Sequence, residues 1–307
     1  MQMEVHSLDK LNLKAPPGKR LVVLGDPIAH SLSPAMHNAA LAEMAVADPE
    51  LRDWCYEAVH VPATELTRAL KILEKAGVAG VNLTIPHKVD VLGMISEVDP
   101  LSRSMGAVNT LIATGSGFRG TNTDGYGILR AVEESFGRGP AGEDIWLFGA
   151  GGAARGIIVA CLEQGASRIT VVNRSPERLF AFQQALESQS LEGFDKIRFQ
   201  TTSEAVDDGS NQSILINATS LGLKESDANP IPQQFLAGDR AVYDTTYGAR
   251  NQLARDCLEK GIAYADGLSM LIWQGVRSLE IWTRRPVPAE AMRAAALEEL
   301  RKRKSNG

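Results

Sequence analysis

Cysteine is scarce: Cys55, Cys161 and Cys257 lie far apart in 307 residues and form no CxxC pair. That argues against a disulfide framework and against zinc-ligand spacing, and reads as small apolar residues in a reducing compartment. No apolar run approaches the length of a membrane span. Residues 1–20 mix charges with prolines and carry no apolar stretch, so no secretory signal is expected and the cytoplasm is the default. Charge of one sign is lacking too: 32 Lys and Arg against 37 Asp and Glu leave a net charge of −5. That balance argues against a general nucleic-acid binder. The basic run Arg301-Lys302-Arg303-Lys304 reads as a solvated helix end, its cations suited to the negative pole of the helix dipole. His30 and His37 have no cluster of acids or cysteines around them, so no metal is expected.

The most telling absence is a single acid. Gly149-Ala150-Gly151-Gly152-Ala153-Ala154 follows the apolar run Ile145-Trp146-Leu147-Phe148 and opens a helical stretch from Gly156 to Leu162. A glycine turn between strand and helix brings backbone N–H groups and a helix N-terminus onto a pyrophosphate. An acid at the end of the second strand would grip the ribose 2′-hydroxyl of NAD. Here that strand, 168–172, ends in Asn173-Arg174-Ser175. Arginine suits a 2′-phosphate, so the expected cofactor is NADP, with Asn173, Arg174, Ser175 and Arg178 as candidate ligands. An ordinary charged helix start remains the other reading of Arg178.

The chain is long enough for two domains, with 44 % apolar and 22 % charged residues. Residues 1–20 read as a loosely ordered leader broken by Pro16-Pro17-Gly18. Strands are expected at 20–25, 56–61 and 78–83, with Leu66, Leu70 and Leu73 on one face of a helix between the last two. Ser33 before Pro34 and Ser175 before Pro176 each predict a serine-capped helix start. A hairpin is expected around Gly115-Ser116-Gly117, and a linker at 137–142. Strands then alternate with helices, which implies an α/β protein with a parallel sheet covered on both faces. Two last helices, about 268–283 and 288–303, are placed to fold back on the first domain.

Three side-chain groups carry candidate chemistry. Ser31 and Ser33 are two hydroxyls at a helix N-terminus, able to hold a carboxylate or simply to cap the helix. Lys88 follows Pro86-His87 at a strand end, where a solvated lysine is equally ordinary. Asp124, in Asn122-Thr123-Asp124-Gly125, reads as a helix cap or as the partner of a lysine in acid–base work on a hydroxyl.

These motifs together resemble the shikimate dehydrogenase family, which includes shikimate/quinate dehydrogenases. Gly25-Asp26-Pro27 through Ser31-Leu32-Ser33-Pro34 to His37-Asn38 is similar to its opening signature, and Asn82-Leu83-Thr84-Ile85-Pro86-His87-Lys88 to its lysine motif. Gly106-Ala107-Val108-Asn109-Thr110, Gly120-Thr121-Asn122-Thr123-Asp124-Gly125, the glycine turn, Asn173-Arg174-Ser175, Asn217-Ala218-Thr219-Ser220 and the stretch Gly267 to Gln274 follow in the family's order.

The resemblance implies an N-terminal α/β substrate domain and a Rossmann-type doubly wound dinucleotide domain. The expected division is a leader at 1–19, a substrate domain at 20–125 and 268–307, and an NADP domain at 126–267. It implies that Ser31 and Ser33 bind the shikimate carboxylate with help from Tyr247. Thr84, Lys88, Asn109, Asp124 and Gln274 would hold the ring hydroxyls. Lys88 would be the acid–base residue, with Asp124 bonded to the reacting hydroxyl. Gly149, Ala150, Gly151, Gly152 and Ala153 would hold the cofactor's pyrophosphate, Ala218, Thr219 and Ser220 would line its cleft, and Gly267 and Met270 would lie near the nicotinamide. The implied reaction is the NADP-dependent, reversible reduction of 3-dehydroshikimate in aromatic amino-acid (chorismate) biosynthesis. No nucleic acid or membrane partner is implied, and the state is a monomer or homodimer. The alternatives are an NAD-dependent quinate/shikimate dehydrogenase and a non-catalytic shikimate/NADP sensor.

Overall fold

A computed structural model describes residues 5–8, 19–207, 213–248 and 251–306. Along the chain run β1 (Val5–Ser7), β2 (Arg20–Gly25), α1 (Ser33–Ala47), β3 (Cys55–His60), α2 (Leu66–Lys75) and β4 (Gly80–Leu83). Next come α3 (His87–Asp90), β5 (Glu97–Val98), α4 (Pro100–Met105), β6 (Thr110–Thr114), β7 (Gly117–Thr121) and α5 (Asp124–Phe136). Then follow β8 (Asp144–Phe148), α6 (Gly152–Glu163), β9 (Arg168–Asn173), α7 (Pro176–Glu187), β10 (Ile197–Thr201) and β11 (Ser213–Asn217). The last elements are β12 (Ala241–Asp244), α8 (Gln252–Glu259), β13 (Ala263–Ala265), α9 (Leu268–Thr283) and α10 (Ala289–Asn306). The chain divides into two units, Met1–Thr123 with Ile272–Gly307, and Asp124–Leu271.

The first unit is built on a mixed sheet in the order β1-β3-β2-β4-β6-β7-β5. β2 is buried along its whole length, as a near-continuous apolar strand between parallel neighbours should be. Leu66, Leu70 and Leu73 of α2 pack with Val22, Leu24 and Val81 on one face of this sheet. The sheet is mixed because of the hairpin expected around Gly115-Ser116-Gly117. β6 and β7 form the expected hairpin, and β6 inserts antiparallel beside β4. Part of the leader is a strand: Val5–Ser7 pairs in parallel with β3, while residues 1–4 and 9–18 of that leader lie outside the described residues.

On the other face, His37 stacks on Tyr56 with ring centroids 4.0 Å apart. Trp282 of α9 lies 6.3 Å from Tyr56, and its indole N–H donates to the Leu111 carbonyl at 2.9 Å. Gly80 makes this possible, because a Cβ there would stand 2.1 Å from the indole nitrogen.

The second unit has a wholly parallel sheet in the order β10-β9-β8-β11-β12-β13. That is the doubly wound Rossmann order, with its reversal at β8 and β11. Trp146, Phe148, Leu215, Phe235 and Val242 fill its core.

Burial of His37 has a consequence for stability. The ring is fully buried, donates from Nδ1 to the Ser33 carbonyl at 2.9 Å, and is held neutral by desolvation, its pKa falling from 6.5 to about 4. An unfolded chain takes up this proton as pH drops through 6.5; the folded chain resists until about 4. Stability is therefore full above 6.5, falls between 6.5 and 4 by about 3 kcal/mol, and levels off below. Urea unfolding of wild type and His37→Gln at pH 7 and pH 4 should show their difference shrinking by roughly that amount. A pH-independent difference would mean that the folded ring is not kept neutral.

Candidate active site

In the first unit the candidate residues sit at the carboxyl ends of β2 and β4 and at the start of β6, the edge where α/β sheets bind ligands. Both loops there are tied together: Asp26 N–H donates to the Ile85 carbonyl at 3.0 Å and Thr84 N–H to the Leu24 carbonyl at 3.0 Å. Lys88 lies half-buried in α3, and its carbonyl accepts from Val108 N–H at 2.8 Å, next to Asn109. His87 turns inward and donates to the Val61 carbonyl at 2.8 Å, which fixes the helical turn that carries Lys88.

The serine pair differs from expectation in one respect. Leu32, not Ser33, is the N-cap of α1, and Ser33 is its first residue, with Pro34 after it. Leu32 already has helical dihedrals, φ −88 and ψ −14, so the helix starts one residue earlier than a serine cap would allow. Ser31 does the capping instead: its Oγ accepts from Ser33 N–H at 3.3 Å. Burial raises the pKa of the Tyr56 hydroxyl well above its ordinary value, and the Ser33 side chain offsets part of that rise. Asp124 likewise is the first residue of α5 rather than a residue preceding it.

A buried polar network lies beneath these groups. The Tyr56 hydroxyl donates to Asn82 Oδ1 at 2.6 Å. Asn82 Nδ2 reaches the Asn109 carbonyl at 3.1 Å, Thr110 Oγ1 at 3.0 Å and Ser278 Oγ at 3.1 Å. Asn109 Oδ1 accepts from Thr123 N–H and from Thr110 Oγ1, both at 2.8 Å, and its Nδ2 donates to Thr123 Oγ1 at 3.0 Å. Ser278 Oγ also lies 3.1 Å from Thr123 Oγ1 and donates to the Gln274 carbonyl at 3.0 Å. Asn109 and Gln274 are thus joined through Asn82, Thr123 and Ser278, with Tyr56 bonded to Asn82, and the sequence singles out none of these four by itself as a site residue. Their one signal is that three of the four fall inside or just beside quoted motifs or the last helices.

The second unit holds the glycine turn, Asp124, Tyr247, Gly267 and Met270. The turn follows β8 as expected, with Gly151 as N-cap of α6. Gly149 has φ +119, and a Cβ there would lie 2.9 Å from the Ala218 carbonyl, so the turn packs directly on Ala218-Thr219. That loop is braced by Asn217, whose Oδ1 accepts from Thr219 N–H at 3.0 Å and whose Nδ2 donates to Asp244 at 2.8 Å. Asp244 is fully buried and also accepts from Thr246 N–H, Asn251 Nδ2 and the Tyr264 hydroxyl. Tyr247 is half-buried on the loop after β12. Gly267 N–H donates to the Thr246 carbonyl at 2.9 Å, and Met270 N–H to the Tyr243 hydroxyl at 3.0 Å.

Beyond β9, Ser175 caps α7 as expected, accepting from Arg178 N–H at 3.2 Å, and its hydroxyl donates to Glu177 at 2.7 Å. Asn173 Nδ2 donates to the Ser175 carbonyl at 3.0 Å, while Arg174 and Arg178 are exposed. The turn fits a pyrophosphate: a Cβ built on Gly151 or Gly152 meets nothing within 4 Å, so the space these glycines keep clear is turned away from the chain's own packing. Among the described residues no group of three or more His, Cys, Asp or Glu is arranged to hold a metal.

Comparison with known proteins agrees with the sequence resemblance. Residues 23–111 match the family model of the shikimate dehydrogenase substrate binding domain, and residues 267–297 that of the shikimate 5′-dehydrogenase C-terminal domain. A shikimate dehydrogenase (NADP(+)) of Symbiobacterium thermophilum is 36% identical, over 92% of this chain and 95% of its own length. One from a Synechococcus species is 38% identical over 91% and 94%. The crystal structure of shikimate 5-dehydrogenase from Thermus thermophilus in complex with NADP(H) and shikimate is 33% identical, covers 91% of this chain and 99% of its own, and superposes with a TM-score of 0.78.

The open side of the turn is testable. Gly151 has φ −113 and ψ −171, a conformation alanine adopts freely. Gly151→Ala should leave urea stability within about 1 kcal/mol and weaken NADPH binding tenfold or more, since the new methyl occupies space the pyrophosphate needs. Fluorescence titration with NADPH measures it, and unchanged affinity would remove the turn from the cofactor site.

Proposed function

The chain belongs to the shikimate dehydrogenase family, and from that premise we propose that it catalyses the reversible, NADP-dependent reduction of 3-dehydroshikimate to shikimate. The observation that carries this reading is the clustering, along one sheet edge, of Ser31, Ser33, Thr84 and Lys88 beside a buried hydrogen-bonded network that includes Asn109. The substrate is a small ring bearing one carboxylate and several hydroxyls. Ser31 and Ser33 supply hydroxyls at the positive end of α1 for the carboxylate, assisted by Tyr247. Thr84, Asn109 and Gln274 supply neutral donors and acceptors for the ring hydroxyls.

Bound NADPH supplies a hydride to the carbonyl carbon. As that carbon gains the hydride, its oxygen gains negative charge. The Lys88 ammonium stabilises this oxygen and gives it a proton; in the reverse direction the Lys88 amine takes the proton back. Asp124 accepts a hydrogen bond from the reacting hydroxyl and so orients it. On the cofactor side, Gly149 to Ala153 meet the pyrophosphate and Ala218, Thr219 and Ser220 line the same end of the sheet. Gly267 and Met270 would stand beside the nicotinamide. Asn173, Arg174, Ser175 and Arg178 meet the 2′-phosphate. Cys161, fully buried with its thiol pushed up to about 12 by desolvation, is inert, and three unpaired cysteines suit the reducing cytoplasm. Of the alternatives, neither an NAD-dependent quinate enzyme nor a sensor is favoured by relatives named for NADP(+) at 36% and 38% identity.

The first test is a pair of initial-rate assays. With NADP+, shikimate should be oxidised at least about tenfold faster than quinate. NADP+ should exceed NAD+ in kcat/KM by about a hundredfold, a ratio that Arg174→Ala shrinks. A preference for NAD+ would overturn the Arg174 assignment. The second test is Lys88→Met: kcat should fall by about 10²–10⁴ with shikimate binding largely kept. Near-normal turnover would exclude Lys88 as the proton donor.

A further inference from the structure

The basic run at 301–304 is the one sequence motif that the reaction leaves unused. Arg301, Lys302 and Lys304 are exposed, as a solvated helix end should be. Arg303 departs from that expectation. It is half-buried, and its Nη1 donates to the His30 carbonyl at 2.8 Å and its Nη2 to the Ser31 carbonyl at 3.4 Å. The same guanidinium is held by Glu299, one turn earlier, at 3.2 Å.

Helical spacing explains the exception. Met292, Ala296, Glu299 and Arg303 recur at steps of four, three and four, so they form one stripe of α10. Met292 and Ala296 are fully buried, and α10 packs along α1. The stripe therefore faces the first unit and delivers the guanidinium to the loop that ends where α1 begins.

We propose that Arg303 is a positioning residue for the carboxylate end of the substrate. This rests on the reading of Ser31 and Ser33 as the carboxylate's ligands. A guanidinium presents its donors in a rigid plane, so bonding two successive carbonyls fixes two peptide planes at once. Those planes flank Ser31, whose Oγ is also the acceptor for Ser33 N–H. Two hydroxyls aimed at one carboxylate are useful only while held within about 0.5 Å of the productive geometry. Glu299 balances the charge of Arg303, so the guanidinium acts by holding the loop and not by attracting the anion over distance.

The test is steady-state kinetics with NADP+ and shikimate on Arg303→Ala, Arg303→Lys and the Ser31→Ala/Ser33→Ala pair, alone and with Arg303→Ala. Arg303→Ala should raise the shikimate KM about tenfold and leave kcat and the NADP+ KM within about twofold. Arg303→Lys, which keeps a donor but loses the fork, should recover part of the loss, and it carries the test should the alanine variant fold poorly. On the serine-pair background, Arg303→Ala should add less than about twofold. If the serine pair itself leaves KM unchanged, the carboxylate reading fails. If the serine pair raises KM while neither Arg303 variant does, or if Arg303→Ala costs as much without the serines as with them, the role of Arg303 alone is overturned.

Discussion

A carboxamide enclosed in protein must find partners for both its ends. Asn82 is 6% exposed, and four groups meet its side chain: the Tyr56 hydroxyl, the Asn109 carbonyl, Thr110 Oγ1 and Ser278 Oγ. Leaving one of these ends unpaired costs about 1–3 kcal/mol, a large share of a domain's stability. Apolar contacts tolerate small slides; directional bonds converging on one amide do not. β3, β4, β6 and α9 are thereby held to a single mutual arrangement, and the loops that leave them inherit it.

The second unit uses a carboxylate in the same way. Asp244, at the end of β12, gathers Asn217, Thr246, Asn251 and Tyr264 around one buried side chain. Through Asn217 it fixes the loop against which the glycine turn rests. In both units, then, groups assigned to ligands lie beside a buried polar cluster or, like Asn109, within it. Such an arrangement suits a site that has to stay aimed while its ligands come and go.

Much of this was legible in local patterns. The spacing of Leu66, Leu70 and Leu73, the serine before Pro176 and the strand-turn-helix around Gly149 each state a structure within a dozen residues. What escaped depends on distance along the chain or on one dihedral. Ser33 looks like a cap until Leu32 is seen in the helical region. Tyr56, Thr123 and Ser278 are ordinary residue types, and nothing in spacing links Asn82 to a serine 196 positions later. The antiparallel β6 follows from a hairpin whose place in the sheet no periodicity encodes. Arg303 sits in a run of four cations, and only the register of Met292 and Ala296 separates it from its neighbours.

The return of α9 and α10 to the first unit also orders events at birth. Residues 124–271 form a contiguous stretch that can close on itself while synthesis continues, as domains do on the ribosome. The first unit cannot. Its amide at Asn82 waits for Ser278, and the His30 carbonyl waits for a guanidinium 273 residues downstream. Residues 124–271 can therefore close on themselves before the edge of the first sheet has all its partners.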